Sequence, residues 1–176
     1  MPHSYRGSHM SPYTRSSDLP PLTPGVERVA FMNILGVMFQ ENMSFTMQVD
    51  RLVARGAQTM YALGTLKNHG LNNCALWEVT RATLLSRLTY ASQAWWGMLD
   101  GAGRQRLQGI INRAVKRGFL PSAQPTIAEI CDNADRCLFT AILGNPCHVL
   151  HHLLPPVKLA KNRLRQRNHN REFPVR

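Results

Sequence analysis

The sequence predicts a mainly α fold: a small bundle of four to five helices, preceded by a short two-stranded β-hairpin and followed by a disordered basic tail. Three observations carry this. Apolar residues recur at three-and-four spacing in several separate segments between residues 45 and 142, each bounded by capping or breaking residues. One run, VERVAFMNILGVMF at 26–39, is instead dense in β-branched and aromatic residues. Beyond Pro155-Pro156 the chain is polar and basic without periodicity. The expected organisation is a disordered segment over 1–24, the hairpin over 25–40, a helical domain over 41–156 and the tail over 157–176.

Residues 1–24 are rich in Ser, Pro, His and Tyr, and Pro20-Pro21 and Pro24-Gly25 stop any regular element. The run that follows reads as strands Val26–Phe31 and Ile34–Phe39, turning near Met32-Asn33. Gly36 inside the second strand suggests a bulge or a close backbone approach. A two-stranded ribbon is marginal alone and must lean on the helices.

Ser44 is a plausible N-cap for a helix over Phe45–His69, closed by Gly70. Phe45, Val49, Leu52, Val53, Met60, Leu63 and Leu66 form its apolar face, and Gln48, Arg51, Arg55 and Gln58 the other. Gly56 and Gly64 permit close helix packing, at a propensity cost of about 1 kcal/mol each. Asn72 or Asn73 caps a central helix whose body, Leu76–Leu99, is apolar nearly all round. It ends in Trp95-Trp96, whose indole N–H groups require partners. Gly97 to Gly103 breaks the chain before a helix over Arg104–Arg117 with Leu107, Ile110, Ile111, Ala114 and Val115 inward. Thr126-x-x-Glu129 is a capping box that starts the next helix. Its inner stripe is Ile127, Ile130, Cys131, Ala134, Leu138 and Ile142. Gly144 ends it, and Pro146 opens a short fifth helix running to Leu154.

Charge is the most informative feature of composition. Among 176 residues, 21 Lys and Arg face 10 Asp and Glu, a net charge of +11. From Lys158 to Arg176 seven basic residues stand against one acid, so more than half of the excess lies in the tail. Such an excess favours a polyanionic partner, most often nucleic acid. Arg106, Arg113 and Arg117, with Lys116 beside them, recur at spacings of seven and four. They read either as a phosphate-tracking stripe or as an ordinary solvated helix face.

Several chemistries find no support. No run of 18 apolar residues suits a transmembrane helix, and no signal-peptide pattern occurs. Phosphate-loop and dinucleotide-binding glycine motifs are absent. The five aspartates, at 18, 50, 100, 132 and 135, include no adjacent pair to hold two metals. Cys147, His148 and His152, with Cys131 or Cys137 as further donors, form the one cluster of metal-ligand types, and it meets no standard zinc spacing. The four cysteines read as reduced thiols. No catalytic centre is visible.

Asn33-Ile34-Leu35-Gly36-Val37, Met43-Ser44-Phe45 and Val49-Asp50 resemble the Leu-Gly-Val block of reverse transcriptases from non-LTR (LINE-type, jockey- or CR1-like) retrotransposons. Tyr61-Ala62-Leu63 with Leu66-Lys67-Asn68-His69-Gly70 resembles the block that follows. Leu85-Ser86-Arg87-Leu88-Thr89-Tyr90-Ala91 with Ala94-Trp95-Trp96-Gly97 is the stretch most like the family. Arg113 to Phe119, Asn145-Pro146, His148 to Pro156 and the basic tail are also similar to it. The order and spacing of the blocks, over about Leu19 to Arg176, are more specific than any one of them.

The resemblance implies a C-terminal polymerase piece that begins after the fingers and palm, and hence after the metal-binding aspartates. Leu35, Gly36 and Val37 would be the primer-proximal hairpin at the palm–thumb border, and the helices would be a thumb. The implied chain is inactive alone and uses no cofactor of its own, Mg²⁺ belonging to the parent polymerase. Its partners would be RNA or an RNA–DNA duplex and the missing fingers and palm portion, not a membrane. Its gripping residues would be Arg106, Arg113, Lys116 and Arg117 together with Lys158, Lys161, Arg163, Arg165 and Arg167 of the tail. It would lie in a nuclear or cytoplasmic ribonucleoprotein. The alternative is a non-enzymatic helical interaction module, or a degenerate retroelement product without function.

Overall fold

The computed structural model describes Pro21 and residues 23–156. The segment over 1–20 and the basic tail, with Lys158, Lys161, Arg163, Arg165 and Arg167, lie outside the described residues. The fold is mainly α, with a two-stranded antiparallel hairpin ahead of the helices. Two compact units are present, one up to Cys131 and one from Asp132.

The hairpin pairs β1 (Phe31–Ile34) with β2 (Val37–Gln40), with Ile34 opposite Val37. The strands are therefore displaced from the expected Val26–Phe31 and Ile34–Phe39, and the turn is at Leu35-Gly36, not Met32-Asn33. Both turn residues have positive φ, 50° and 90°. That is the type I′ geometry whose twist matches a two-residue hairpin. Gly36 is thus a turn residue rather than a bulge. Asn33 Oδ1 accepts from the Gly36 N–H at 3.0 Å and closes the turn. One face of the ribbon is covered: Val37 is buried, and the Phe39 and Phe45 rings meet edge to face at 5.2 Å.

Helix α1 (Thr46–Asn68) carries the hairpin. Its first residue is Thr46, with Phe45 at the cap, so Ser44 is not the cap; its Oγ accepts from the Thr46 N–H at 3.4 Å and lies 2.9 Å from Thr46 Oγ1. Gln48, expected on the outer face, is buried, because its Oε1 accepts from the Met38 N–H of β2 at 3.1 Å. Gln40 Oε1 likewise accepts from the Met47 N–H. The two amides satisfy one open backbone donor of the ribbon and one of the first turn of α1. Val49, Leu52, Gly56, Met60 and Leu63 form the inner stripe. At the far end Gly70 N–H bonds Lys67 O and Leu71 N–H bonds Leu66 O, a Schellman closure with Gly70 at φ 87°.

The expected continuous helix over Leu76–Leu99 is broken. Asn72 Oδ1 caps α2 (Asn73–Thr80) through the Ala75 N–H at 2.8 Å. A π-helical turn, Arg81–Leu85, follows, then one α turn, α3 (Ser86–Leu88). The buried positions here are Leu76, Thr80, Leu84 and Leu88, every fourth residue. In a regular helix such a row drifts by about 40° per step, and the wider π turn removes part of that drift. Thr80, Thr83, Ser86 and Thr89 recur every third residue, and each hydroxyl donates to the carbonyl four back.

The helix then stops without Gly or Pro. Ala91 adopts φ 50°, and the Tyr90 carbonyl accepts from Trp95 Nε1 at 3.0 Å. After the short α4 (Ser92–Trp95) comes a 3-10 turn, Trp96–Met98. Trp95 is 0% exposed and Trp96 3%. The Arg104 guanidinium stacks over the Trp96 ring at 5.1 Å.

Asp100 caps α5 (Gly101–Lys116) through the Gly103 N–H at 2.7 Å, and so starts it three residues before Arg104. Leu107, Ile110, Ile111 and Ala114 are buried against the core. Gly56 of α1 lies so near α5 that a Cβ there would sit 3.1 Å from Ile110 Cδ1. A second Schellman closure, Gly118 N–H to Val115 O and Phe119 N–H to Ala114 O, ends α5. Trp77 Nε1 donates to the Gly118 carbonyl at 3.4 Å and ties α2 to that end.

The boundary between the units falls inside α6 (Ile127–Gly144). Its start is the expected capping box: Glu129 Oε2 accepts from the Thr126 N–H at 2.8 Å, and Thr126 Oγ1 from the Glu129 N–H at 3.2 Å. The Thr126 N–H, and then the Thr126 hydroxyl 2.9 Å from the same Oε2, hold the Glu129 carboxyl below its usual range. In the second unit the helix expected over Pro146–Leu154 does not form. Turns lead to a single 3-10 turn, His151–Leu153. Asn145 Oδ1 takes the Cys147 N–H and His148 Nδ1 takes the Leu150 N–H, so side chains claim donors that a helix would need.

Candidate nucleic-acid interface

The expected stripe on α5 is present in part. Arg106 is committed to a neighbour: its Nη2 lies 2.7 Å from Asp50 Oδ1 of α1. Arg113 is exposed, and its Nε donates to the Gly109 carbonyl one turn back at 3.1 Å. Lys116 is exposed. Arg117 is exposed at the C-terminal cap of α5, and its carbonyl accepts from Lys67 Nζ at 2.9 Å. Lys67 also sits over the Phe119 ring, at 5.9 Å. Lys67 and Arg117 thus share the end where α1 and α5 both close in Schellman turns. Cations there are favoured by the carbonyl ends of both helices.

The expected hairpin residues lie at the rim of a different feature. Leu35 and Gly36 border a groove of about 550 Å³ that runs between the hairpin turn, α1 and the π-helical turn with the residues after it. Val37 is instead buried beneath the ribbon. Three arginines line the groove: Arg51 and Arg55 from α1, and Arg87 from α3. Arg51 and Arg55 are four apart, hence one turn apart on the same face. Arg51 Nη1 reaches the Gly36 carbonyl at 3.5 Å. Arg87 Nη1 donates to Thr59 Oγ1 at 3.2 Å, and that hydroxyl donates to the Arg55 carbonyl.

No acidic side chain lines the groove. The ion pairs among the described residues, Glu78–Arg81 and Asp50–Arg106, involve none of its arginines. Tyr90 completes the rim. Its hydroxyl donates to the Leu35 carbonyl at 3.1 Å, and its ring edge would lie 3.7 Å from a Cβ at Gly36. Helical spacing puts Arg51 and Arg55 on an outer face of α1, and nothing local gives Arg87 a role. The available signal was an Arg pair at helical spacing with no acid one turn away on either side. That Arg87 joins them is a tertiary fact.

The thiols and imidazoles give no comparable site. None of the four cysteines is in a disulfide; Cys131 is buried, and Cys74, Cys137 and Cys147 are exposed. Among the described residues no group of three or more His, Cys, Asp or Glu is placed to hold a metal. No helix among them is long and apolar enough to cross a membrane. Compared with known proteins, the chain matches no family model, no curated protein and no solved structure.

Proposed function

We propose that this chain is the thumb-and-tail portion of a non-LTR retrotransposon reverse transcriptase, and that it grips RNA or an RNA–DNA duplex without catalysing synthesis itself. The observation that carries the reading is the set of cations free of carboxylate partners on a mainly α unit. Arg113, Lys116 and Arg117 are exposed on one end of α5, and neither ion pair of the described residues engages them. Cations at helical spacing along one side are what sequence-independent phosphate contact requires. The ordered residue blocks from Asn33 to Pro156 supply the likeness to this family, and the absence of adjacent aspartates fits a gripping role.

The test is a binding isotherm with labelled RNA–DNA duplex over a range of salt. The expected slope of log K against log salt is about −0.9 for each phosphate neutralised, and R113Q/K116Q/R117Q makes it less steep. An isotherm insensitive to salt refutes the reading. Primer extension by the pure chain with Mg²⁺ and deoxynucleotides would refute the non-catalytic part.

One observation favours the alternative of an interaction module. Phe31, Met32 and Ile34 of β1 are about half exposed, and within the described residues β1 pairs with β2 alone. In the polymerase reading that strand is where a preceding palm portion joins. The buried Trp95-Trp96 pair offers no such patch. Molar mass by light scattering separates the two: a stable self-associated species favours the module.

A further inference from the structure

We infer that the groove between the hairpin turn, α1 and the π-helical turn seats one unpaired nucleic-acid strand, with Arg51, Arg55 and Arg87 on its phosphates and Tyr90 against a base. This rests on the nucleic-acid reading above and deepens it: α5 offers an open cationic face, whereas the groove is a narrow seat. Its volume, about 550 Å³, lies in the range of clefts that hold small ligands. That matches one or two nucleotides of a strand and is far smaller than the cross-section of a duplex would need.

The arginines are arranged as an anion site rather than as structural ion pairs. Like charges one turn apart on a helix repel, by a few tenths of a kcal/mol. Here a third guanidinium joins them with no acid to offset it. Arg51 and Arg87 are oriented by neutral acceptors, the Gly36 carbonyl and Thr59 Oγ1. Each keeps its full charge and most of its five N–H donors for a ligand. Planar forks of this kind bind phosphate through paired hydrogen bonds.

Tyr90 adds what a phosphate site alone would not need. It is 55% exposed, yet its hydroxyl is tethered to the Leu35 carbonyl, so the ring is held at the rim. A fixed, accessible aromatic ring beside a cationic groove is the usual platform for an unpaired base. The π-helical turn forms part of the groove wall, and such turns occur often at functional sites.

The experiment measures affinity of the full chain for a labelled 12-nucleotide RNA and for a blunt RNA–DNA duplex, with inorganic phosphate as competitor. R51Q/R55Q/R87Q is expected to weaken single-strand binding at least tenfold and to lower its salt slope by about 2, at roughly 0.7 for each phosphate no longer neutralised. Duplex affinity stays within about twofold. Y90F keeps the ring but loses its tether to Leu35 and weakens binding about twofold, whereas Y90L, which loses the ring as well, weakens it at least fivefold. A82E, which places a carboxylate in the groove without touching any arginine, weakens single-strand binding as the triple variant does, and so guards against a folding defect in the latter. Single-strand binding unchanged in both the triple variant and A82E overturns the groove while the grip by α5 stands. Wild type that binds neither nucleic acid overturns the underlying reading. Phosphate displacing the RNA at low millimolar concentration in wild type, with Y90L silent, overturns the strand in favour of a small-anion site.

Discussion

Leu35 is a leucine where the backbone favours asparagine or glycine, and replacing it should stabilise the protein. It has φ 50° at the first position of the I′ turn, and its side chain is 86% exposed. A bulky L-residue in this region carries a cost of roughly 1–2 kcal/mol. Asparagine tolerates the conformation, and Asn-Gly is the favoured I′ pair. Because so little of Leu35 is buried, L35N gives up almost no apolar packing. The expected gain is about 1 kcal/mol, or about 3 °C in Tm. The reciprocal change, G36A, tests the same geometry. Gly36 has φ 90° and its nearest neighbour would be 3.7 Å away, so there is space for a methyl group and the cost is backbone strain alone. A decrease of about 1–2 kcal/mol is expected. Urea unfolding followed by tryptophan fluorescence and circular dichroism reads both, with the m-value unchanged. L35N at or below wild-type stability together with a silent G36A would refute the assigned turn. Should L35N stabilise yet weaken RNA binding, the leucine is retained for the groove mouth at the expense of stability.

The same alanine substitution at two glycines of α1 should act in opposite directions. At Gly64 a methyl group meets only Phe119 Cζ at 3.9 Å, so G64A gains up to about 1 kcal/mol of helix propensity. At Gly56 it meets Ile110 Cδ1 and Cγ2 at 3.1 and 3.3 Å, and overpacking of about 1–3 kcal/mol outweighs the gain. Equal stabilisation in urea would contradict the close approach of α1 and α5. In α6, Glu129 contributes cap stability that is present above the ordinary carboxylate value of 4.5 and is lost as pH falls through its lower folded value. The stability difference between wild type and E129A, followed by thermal unfolding, should therefore shrink below pH 4.5. Asp135 behaves oppositely: burial, then the neighbouring Asp132 charge, raises its carboxyl above the ordinary value of 3.8. D135N should be more stable than wild type at neutral pH, with the advantage fading as acid protonates the aspartate.

The features legible in the sequence were those written in short local codes. A cap at Asn72 or Asn73, a helix stop at Gly70 and the Thr126/Glu129 box are each written within a few neighbouring residues, and the structure keeps all three, with Asn72 as the cap. The apolar stripe of α5 was equally plain, since Leu107, Ile110, Ile111 and Ala114 repeat regularly. The hairpin was displaced because its turn uses Leu35-Gly36 in place of a recognisable Asn-Gly pair. The break at Ala91 carries no Gly or Pro. It is stabilised by the Trp95 indole reaching back to Tyr90, a bond that exists only once Trp95 is buried. On the site, the periodicity of Arg106, Arg113 and Arg117 was visible, but periodicity cannot show that Asp50 meets Arg106 from another helix. Arg87 reaches Thr59 across 28 residues of sequence, and through it the Arg55 carbonyl, which periodicity cannot show either.

The widened turn at Arg81–Leu85 holds one more residue than an α turn would need. Removing a residue there, Ala82 for instance, would let the segment heal into ordinary helix. Four residues of α-helix turn the chain through about 400°, nearly what the five residues of the wider turn cover. Arg87 would therefore still face Thr59, and Tyr90 the hairpin. The same deletion in the regular body of α1 would swing everything beyond it by about 100°. The chain can thus lose a codon at this one turn and keep three converging guanidinium groups.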